Sequence, residues 1–236
     1  MARSEFRWMI LDISTAPIPG VADFLVPAKD REPDANLRDP EKIAANKQEK
    51  YDKELTMAAT QLDLAQITGA AMWTREKGLK IALTMGEQAN EIKLLQALAK
   101  RIDQLDPSII TFNGLVFDLG LLMRRSLYLG VEMPVFNLDK FRTPHIDLYE
   151  ILSMNGRTKS HTLQWYQKRL GYTDVKPLTG KQEGEMTPES SPEMWSALAA
   201  SLRFDAIATQ RLASWMKILP PDVSTEPVAP PPDPGV

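Results

Sequence analysis

Two carboxylates, each set against an apolar segment, carry the chemistry of this sequence. Ile109-Ile110-Thr111-Phe112 is an apolar run that stops at Asn113-Gly114. Asp118 follows at the mouth of an amphipathic helix, with Leu119, Leu122, Met123 and Leu127 at helical spacing. Strand, loop and helix in that order form the junction where open α/β sheets hold ligands. Asp12 ends a first apolar segment, Phe6 to Ile13, which reads as another strand. A carboxylate at the end of an apolar strand is costly to bury unless it is paired or binds metal. Two such acids at the ends of two strands suggest a shared metal site, and hard oxygen donors suit Mg²⁺ or Mn²⁺. The plainer readings stay open. Asp12 then caps a turn, and Asp118 is a helix N-terminal acid interacting with the dipole.

The elements that must position these acids follow from periodicity and breakers. Ala16-Pro17-Ile18-Pro19-Gly20 interrupts the chain after the first strand. Residues 26–64 read as a charged insertion, polar and proline-punctuated at first, then helical from Pro40 to Leu64. Lys42, Lys47, Lys50 and Lys53 on that helix could face nucleic acid, but Glu41, Glu49 and Glu54 offset them and favour a solvated helix. Gln66 to Arg75 and Leu79 to Met85 are predicted strands around the turn Glu76-Lys77-Gly78. A helix over Glu87 to Leu105 carries the stripe Ile92, Leu95, Leu98, Ala99, Ile102 and Leu105. Helices are expected over Asp147 to Leu152 and His161 to Leu170, and a late pair over about Pro192 to Leu219. The segment Thr173 to Ser191 is polar and turn-rich. Pro220 to Val236 reads as a proline-rich, disordered tail, able at most to offer a protein partner an extended ligand.

Together with Asp12, His145-Ile146-Asp147-Leu148 and Asp205, the segment Phe112-Asn113-Gly114-Leu115-Val116-Phe117-Asp118 resembles the DEDD-type 3′–5′ exonucleases of the ribonuclease H-like fold. The similarity is to the phage and prophage branch near the DNA polymerase B exonuclease domains. There the first motif is a strand ending in Asp-x-Glu, the second is Phe-Asn-Gly-x-x-Phe-Asp, and the third is an Asp inside a late helix. Asp39-Pro40-Glu41-Lys42-Ile43 is also similar to that branch. The resemblance spans about residues 6–216 and implies an α/β fold, a mixed sheet of three antiparallel and then parallel strands flanked by helices. A generic α/β sandwich is the alternative from the same pattern. An exonuclease-like domain is thus expected over residues 1–219, with the tail over 220–236.

The resemblance also implies a site. Asp12, Asp118 and Asp205 would hold two Mg²⁺ or Mn²⁺ ions about 4 Å apart for in-line phosphodiester hydrolysis. Asn113, Phe117 and Ser14 would support the loop and the substrate, the 3′ end of single-stranded DNA, with RNA not excluded. For Phe117 a core position is the alternative, and for Asp205 an ordinary exposed helical acid. Two family residues are missing. Ser14 stands where the first motif has Glu, and a hydroxyl is a weak neutral ligand. The water-activating Tyr or His, four or five residues before the last Asp, is replaced by Ser201 and Ala200. His145 and His161 are the only histidines and poor substitutes; Glu87 or Glu91 could reach the place vacated at Ser14. The expectation is therefore a weakened exonuclease. The alternative is an inactive nucleic-acid- or protein-binding module on the same fold.

Composition narrows the remaining classes. The chain has 236 residues, 43% hydrophobic and 25% charged, enough for one domain with a sizeable core. Its net charge of −3 argues against a pure nucleic-acid binder, since phosphate neutralisation favours basic surfaces. Carboxylates that meet phosphate through bound cations escape that objection. Cysteine is absent, which removes disulfides and thiolate zinc sites, and no apolar run approaches bilayer length. The start, Met-Ala-Arg-Ser-Glu-Phe-Arg, lacks a secretory pattern, so the expected location is the cytoplasm of a bacterial or phage-infected cell. Phosphate-cradling glycine loops and Gly-x-Ser-x-Gly elbows do not occur. Arg124-Arg125 and Asn155-Gly156-Arg157-Thr158-Lys159 could touch a phosphate backbone, and Trp165, Tyr166 and Trp195 could stack bases, though core packing is commoner for such aromatics.

Overall fold

The computed structural model describes residues 7–139 and 141–219. The start of the first strand at Phe6 and the proline-rich tail fall outside them. Five strands form one sheet: β1 (Trp8–Pro17), β2 (Ala65–Thr74), β3 (Gly78–Leu83), β4 (Ser108–Thr111) and β5 (Ile146–Asp147), in the order β3-β2-β1-β4-β5. β1, β2 and β3 pair antiparallel; β4 joins β1 in parallel and β5 joins β4 in parallel. This is the expected ribonuclease H-like sheet.

Alternation along β1 sorts its side chains between two layers. Met9, Leu11 and Ile13 pack on one face with Leu95, Leu98 and Ile102 of α2 (Gln88–Leu105) and Leu119 and Leu122 of α3 (Asp118–Leu129). Trp8 and Ile10 point to the other face, covered by α4 (Leu148–Leu152), α5 (Leu163–Arg169) and α7 (Pro192–Trp215). The same period of two puts Asp12 and Ser14 on this second face, beneath α7. In β2, Gly69 lies opposite Ser14, and a Cβ built there would sit 2.7 Å from Leu202 of α7. The absent side chain lets α7 approach, and Asp205 follows Leu202 by about one turn.

Two expectations need correction. Asp12 does not end its strand: β1 runs on to Pro17, because β2 pairs with it through to Ala65 across a bulge at Ser14/Thr15. What does end near Asp12 is the parallel pairing with β4, whose last partners are Ile10 and Ile110. Asp12 thus has no β4 partner on that side. The late helical pair is one continuous α7, because no Gly or Pro breaks residues 193–215. In the insertion, α1 (Pro40–Met57) is capped by Asp39, whose side chain accepts from Glu41 N–H, and buries no residue. Lys50 pairs with Asp34 at 2.8 Å and Lys47 donates to the Lys29 carbonyl, in keeping with a solvated helix.

Candidate active site

Asp118 is fixed by the loop before it. Asn113 adopts φ 64°, a left-handed conformation that asparagine tolerates better than most residues. A Cβ on Gly114 would lie 2.0 Å from Asp118 Oδ2 and 2.8 Å from Thr111 Cβ, so only glycine lets the carboxylate fold back over the loop. Asp147 clamps the same loop. Its buried carboxylate accepts the N–H groups of Asn113 (2.8 Å), Leu115 (2.9 Å) and Tyr149 (2.9 Å), the last as N-cap of α4. Asp118 itself is 6% exposed. Burial, then the charges of Asp147 and Asp205, push its carboxyl up to about 8, and no cation opposes them.

Asp12 and Asp205 complete the cluster from the second face of the sheet. Burial, then Asp205 and Asp118, hold the Asp12 carboxyl well above the usual range, with Glu183 adding to the effect and Lys176 opposing it. Asp205 is pushed up to about 6 by burial, although Lys176 pulls the other way. The three sequence-predicted acids therefore share one electrostatic neighbourhood. They line a cleft of about 760 Å³ through Asp12 and Asp205, together with Phe112, Asn113, Tyr149, His161, Trp165 and Lys176.

Lys176 and Glu183 are the residues that sequence reasoning missed. The Lys176 ammonium lies 2.6 Å from Asp205 Oδ2 and 2.8 Å from Glu183 Oε1. Burial alone would lower its affinity for the proton, but the two carboxylates outweigh that and raise it. Glu183 stands on the short helix α6 (Gly180–Gly184), and Ser14 Oγ donates to its Oε2 at 3.3 Å. A carboxylate thus reaches Ser14 from another element. The available sequence signal was weak: Leu178 and Met186, two apolar residues in a polar stretch, and Thr179-x-x-Gln182, a capping box.

The other candidates divide. Asn113 is exposed at the cleft, while Phe117 packs partly buried against the core of the α2–α3 face. Glu91 cannot serve Ser14: it is buried, grips Arg125 through two bonds of 2.8 and 2.7 Å, and accepts the Ile67 N–H. Glu87 is occupied with Asn90 of its own first turn. Arg124 pairs with Asp63. Ser201, in the place of the family tyrosine, is fully buried and accepts the Leu178 N–H at 2.9 Å. His145 accepts the Ile109 N–H, and burial lowers its proton affinity. Trp195 is core and Tyr166 packs beside Phe112. Trp165 is 42% exposed at the cleft, stacked on His161 with centroids 4.0 Å apart and 15° between planes.

In chemistry the donor set fits a hard divalent cation, being all carboxylate oxygen. Among the described residues, no three acidic or histidine side chains are gathered into a ready metal cage. The ammonium of Lys176 stands among them instead.

A family model described as a predicted 3′–5′ exonuclease related to the exonuclease domain of PolB matches residues 59–188. That span holds Asn113, Asp118, Asp147, Lys176 and Glu183; Asp12 and Asp205 flank it. A comparison with curated protein sequences finds no match. Among solved structures, the chain is similar to the family B DNA polymerase from the hyperthermophilic archaeon Pyrobaculum calidifontis, with a TM-score of 0.57 and 16% identity. The alignment covers 91% of this chain and 25% of the polymerase, so the likeness is one of fold, over a quarter of that protein's length.

Proposed function

The chain belongs to the family of predicted 3′–5′ exonucleases related to the exonuclease domain of PolB, and from that premise we propose that it acts on the 3′ end of single-stranded DNA. The reading rests on one observation above others: Asp12 and Asp205, from β1 and α7, line a cleft with an exposed tryptophan, and the charge of Asp118 from α3 bears on Asp12. Asp12, Asp118 and Asp205 would hold Mg²⁺ or Mn²⁺, and the bound ions would supply charge neutralisation at the phosphate and an acidified water. Trp165, stacked on His161 and still partly exposed at the cleft, would extend that stack to a terminal base, an interaction every base can make. Asn113, exposed at the rim, is placed to hydrogen-bond the strand. With Ser14, Ala200 and Ser201 in place of the family's acid and base, no side chain at those positions can take the proton of the attacking water. Turnover is therefore slow and rises with hydroxide concentration. No described helix is long and apolar enough to cross a membrane, and the setting we propose is the cytoplasm of a bacterial or phage-infected cell.

The test is digestion of a 5′-labelled single-stranded oligonucleotide in Mg²⁺ and in Mn²⁺, with an RNA of the same sequence beside it. A 3′-to-5′ ladder that vanishes in Asp118→Ala is expected; a ladder unchanged in that variant would sink the assignment. The second reading, a binding module without catalysis, draws on the Lys176 ammonium between Asp205 and Glu183. It predicts no ladder in either metal, with the oligonucleotide still bound.

A further inference from the structure

Ser14 and Ser201 are the two places where this chain lacks a family residue, and both are bonded to the same short stretch, residues 176–186. Ser14 Oγ reaches Glu183, and Ser201 Oγ accepts the Leu178 N–H. The stretch is anchored on either side of Glu183 by Leu178 (5% exposed) and Met186 (2% exposed), which join the core of Trp195, Leu198 and Leu202. The Thr179–Gln182 capping box fixes the turn between them. Glu183 is therefore held in place by packing, with its side chain only 12% exposed. Its Oε1, shielded from solvent, meets the Lys176 ammonium at 2.8 Å.

We propose that Glu183 is the fourth carboxylate of this centre, replacing in space the acid absent at Ser14, and that the Lys176 ammonium is the resident cation of the metal-free protein, which a divalent ion must displace. The inference rests on the metal-site reading above. Its logic is charge and shape. An ammonium is a compact point charge on a flexible stem, able to sit between two carboxylates and to swing away. One positive charge leaves Asp12, Asp205 and Glu183 under-compensated when all are ionised, which a divalent cation corrects. Because Lys176 must first be displaced, Mg²⁺ and Mn²⁺ bind more weakly than a four-carboxylate set otherwise would.

Calorimetric titration of the full chain with Mn²⁺ tests this without reference to turnover. Lys176→Gln is expected to bind Mn²⁺ about 10- to 100-fold more tightly than wild type, the range that changes beside a metal commonly produce. Adding Glu183→Gln to Lys176→Gln is expected to reverse that gain. Equal affinities of wild type and Lys176→Gln would remove Lys176 as the resident cation; equal affinities of the single and double variants would remove Glu183 as a ligand. A variant-free check covers poor folding: a Mn²⁺ soak of wild-type crystals should place an anomalous peak within about 2.2 Å of a Glu183 oxygen, with Lys176 moved off. A peak held by Asp12, Asp118 and Asp205 alone, with Lys176 still on Glu183, overturns the proposal. The two readings fail separately. Glu183-dependent Mn²⁺ binding without a nuclease ladder ends the exonuclease assignment only, and a ladder with Mn²⁺ binding indifferent to Glu183 ends this inference only.

Discussion

The two sides of the candidate centre are built in opposite ways. On the β4–α3 side, Asn113, Gly114 and Asp118 lie within six residues, and a single clamp, Asp147, holds their backbone. On the α7 side, Ser14, Lys176, Glu183, Ser201 and Asp205 come from β1, a linking stretch and α7, tied together through side chains. The first side is specified locally, the second by tertiary packing. Ser14 and Ser201, where the resemblance implies Glu and Tyr, both lie on the second side and are both bonded to the stretch that carries Glu183. On the reading proposed above, the centre keeps its charge while changing the element that supplies it.

The largest expected effect separates the centre from the rest of the molecule through pH. The carboxyls of Asp118 and Asp205 are raised, to about 8 and about 6, so the native state keeps their protons to higher pH than the unfolded chain does. Between about pH 4 and 8 the unfolded chain therefore binds fewer protons, and stability falls as pH rises. The stabilisation is complete below the ordinary carboxylate range and is lost on passing through 6 and then 8. Urea titrations of EDTA-treated protein should show this decline. Asp118→Asn should flatten its upper part and Mn²⁺ should offset it; a flat profile from pH 5 to 8 in wild type would contradict the burial of these acids.

Next in size is the clamp. Asp147→Ala orphans three backbone N–H groups, each worth about 1–3 kcal/mol when left unsatisfied. A loss of about 3 kcal/mol or more is expected, lowering the melting temperature by roughly 6–12 °C. A melt within a degree of wild type would mean that the loop holds itself, and the contrast between the two sides would fail. Gly114→Ala acts on the same loop, with its new Cβ driven against Asp118 and Thr111. It is expected to cost about 1–3 kcal/mol by overpacking and to abolish turnover by displacing Asp118, while leaving the Lys176 side untouched. Retained turnover would show that Asp118 need not occupy its observed place.

How far the sequence foretold this arrangement follows the same division. The first four strands, α2 and α3 were legible along the chain because their periodicity is strong, whereas their pairing into one mixed sheet came from the family resemblance. Asp12 was singled out as a candidate, though β1 was drawn too short, since pairing with β2 continues past the last apolar residue of the predicted segment. The place of Glu183 beside Ser14 was invisible because it depends on Leu178 and Met186, set in a stretch with no periodicity, and on the Ser201 hydroxyl of α7. Glu91 was a candidate on sequence for the opposite reason: its helix was clear, but its partner, Arg125, becomes its neighbour only when α2 and α3 pack.

Trp165 offers a moderate effect on binding. Stacking one base on an aromatic face contributes about 1–3 kcal/mol, so Trp165→Ala should weaken single-stranded DNA by roughly 5- to 150-fold at fixed salt. Trp165 is partly exposed, so melting should change little. Unchanged affinity would place the strand elsewhere than the cleft beside Asp12 and Asp205.

The smallest effect is expected at Arg124, and it is informative for that reason. Adjacent Arg124 and Arg125 look alike as a basic pair, yet the fold gives them different tasks. Arg125 is buried against Glu91, whereas Arg124 is exposed and meets Asp63, which Tyr128 also contacts. An exposed pair of this kind adds little stability, and salt screens what there is. Arg124→Ala should therefore shift the melting temperature by no more than about a degree and leave DNA affinity and its salt slope unchanged. If binding instead weakens uniformly across sequences and the salt slope falls by about one, then Arg124 leaves Asp63 to reach a phosphate. The strand would then extend past the local side of the site, along α3, and the cleft at Trp165 would be only one end of the nucleic-acid path.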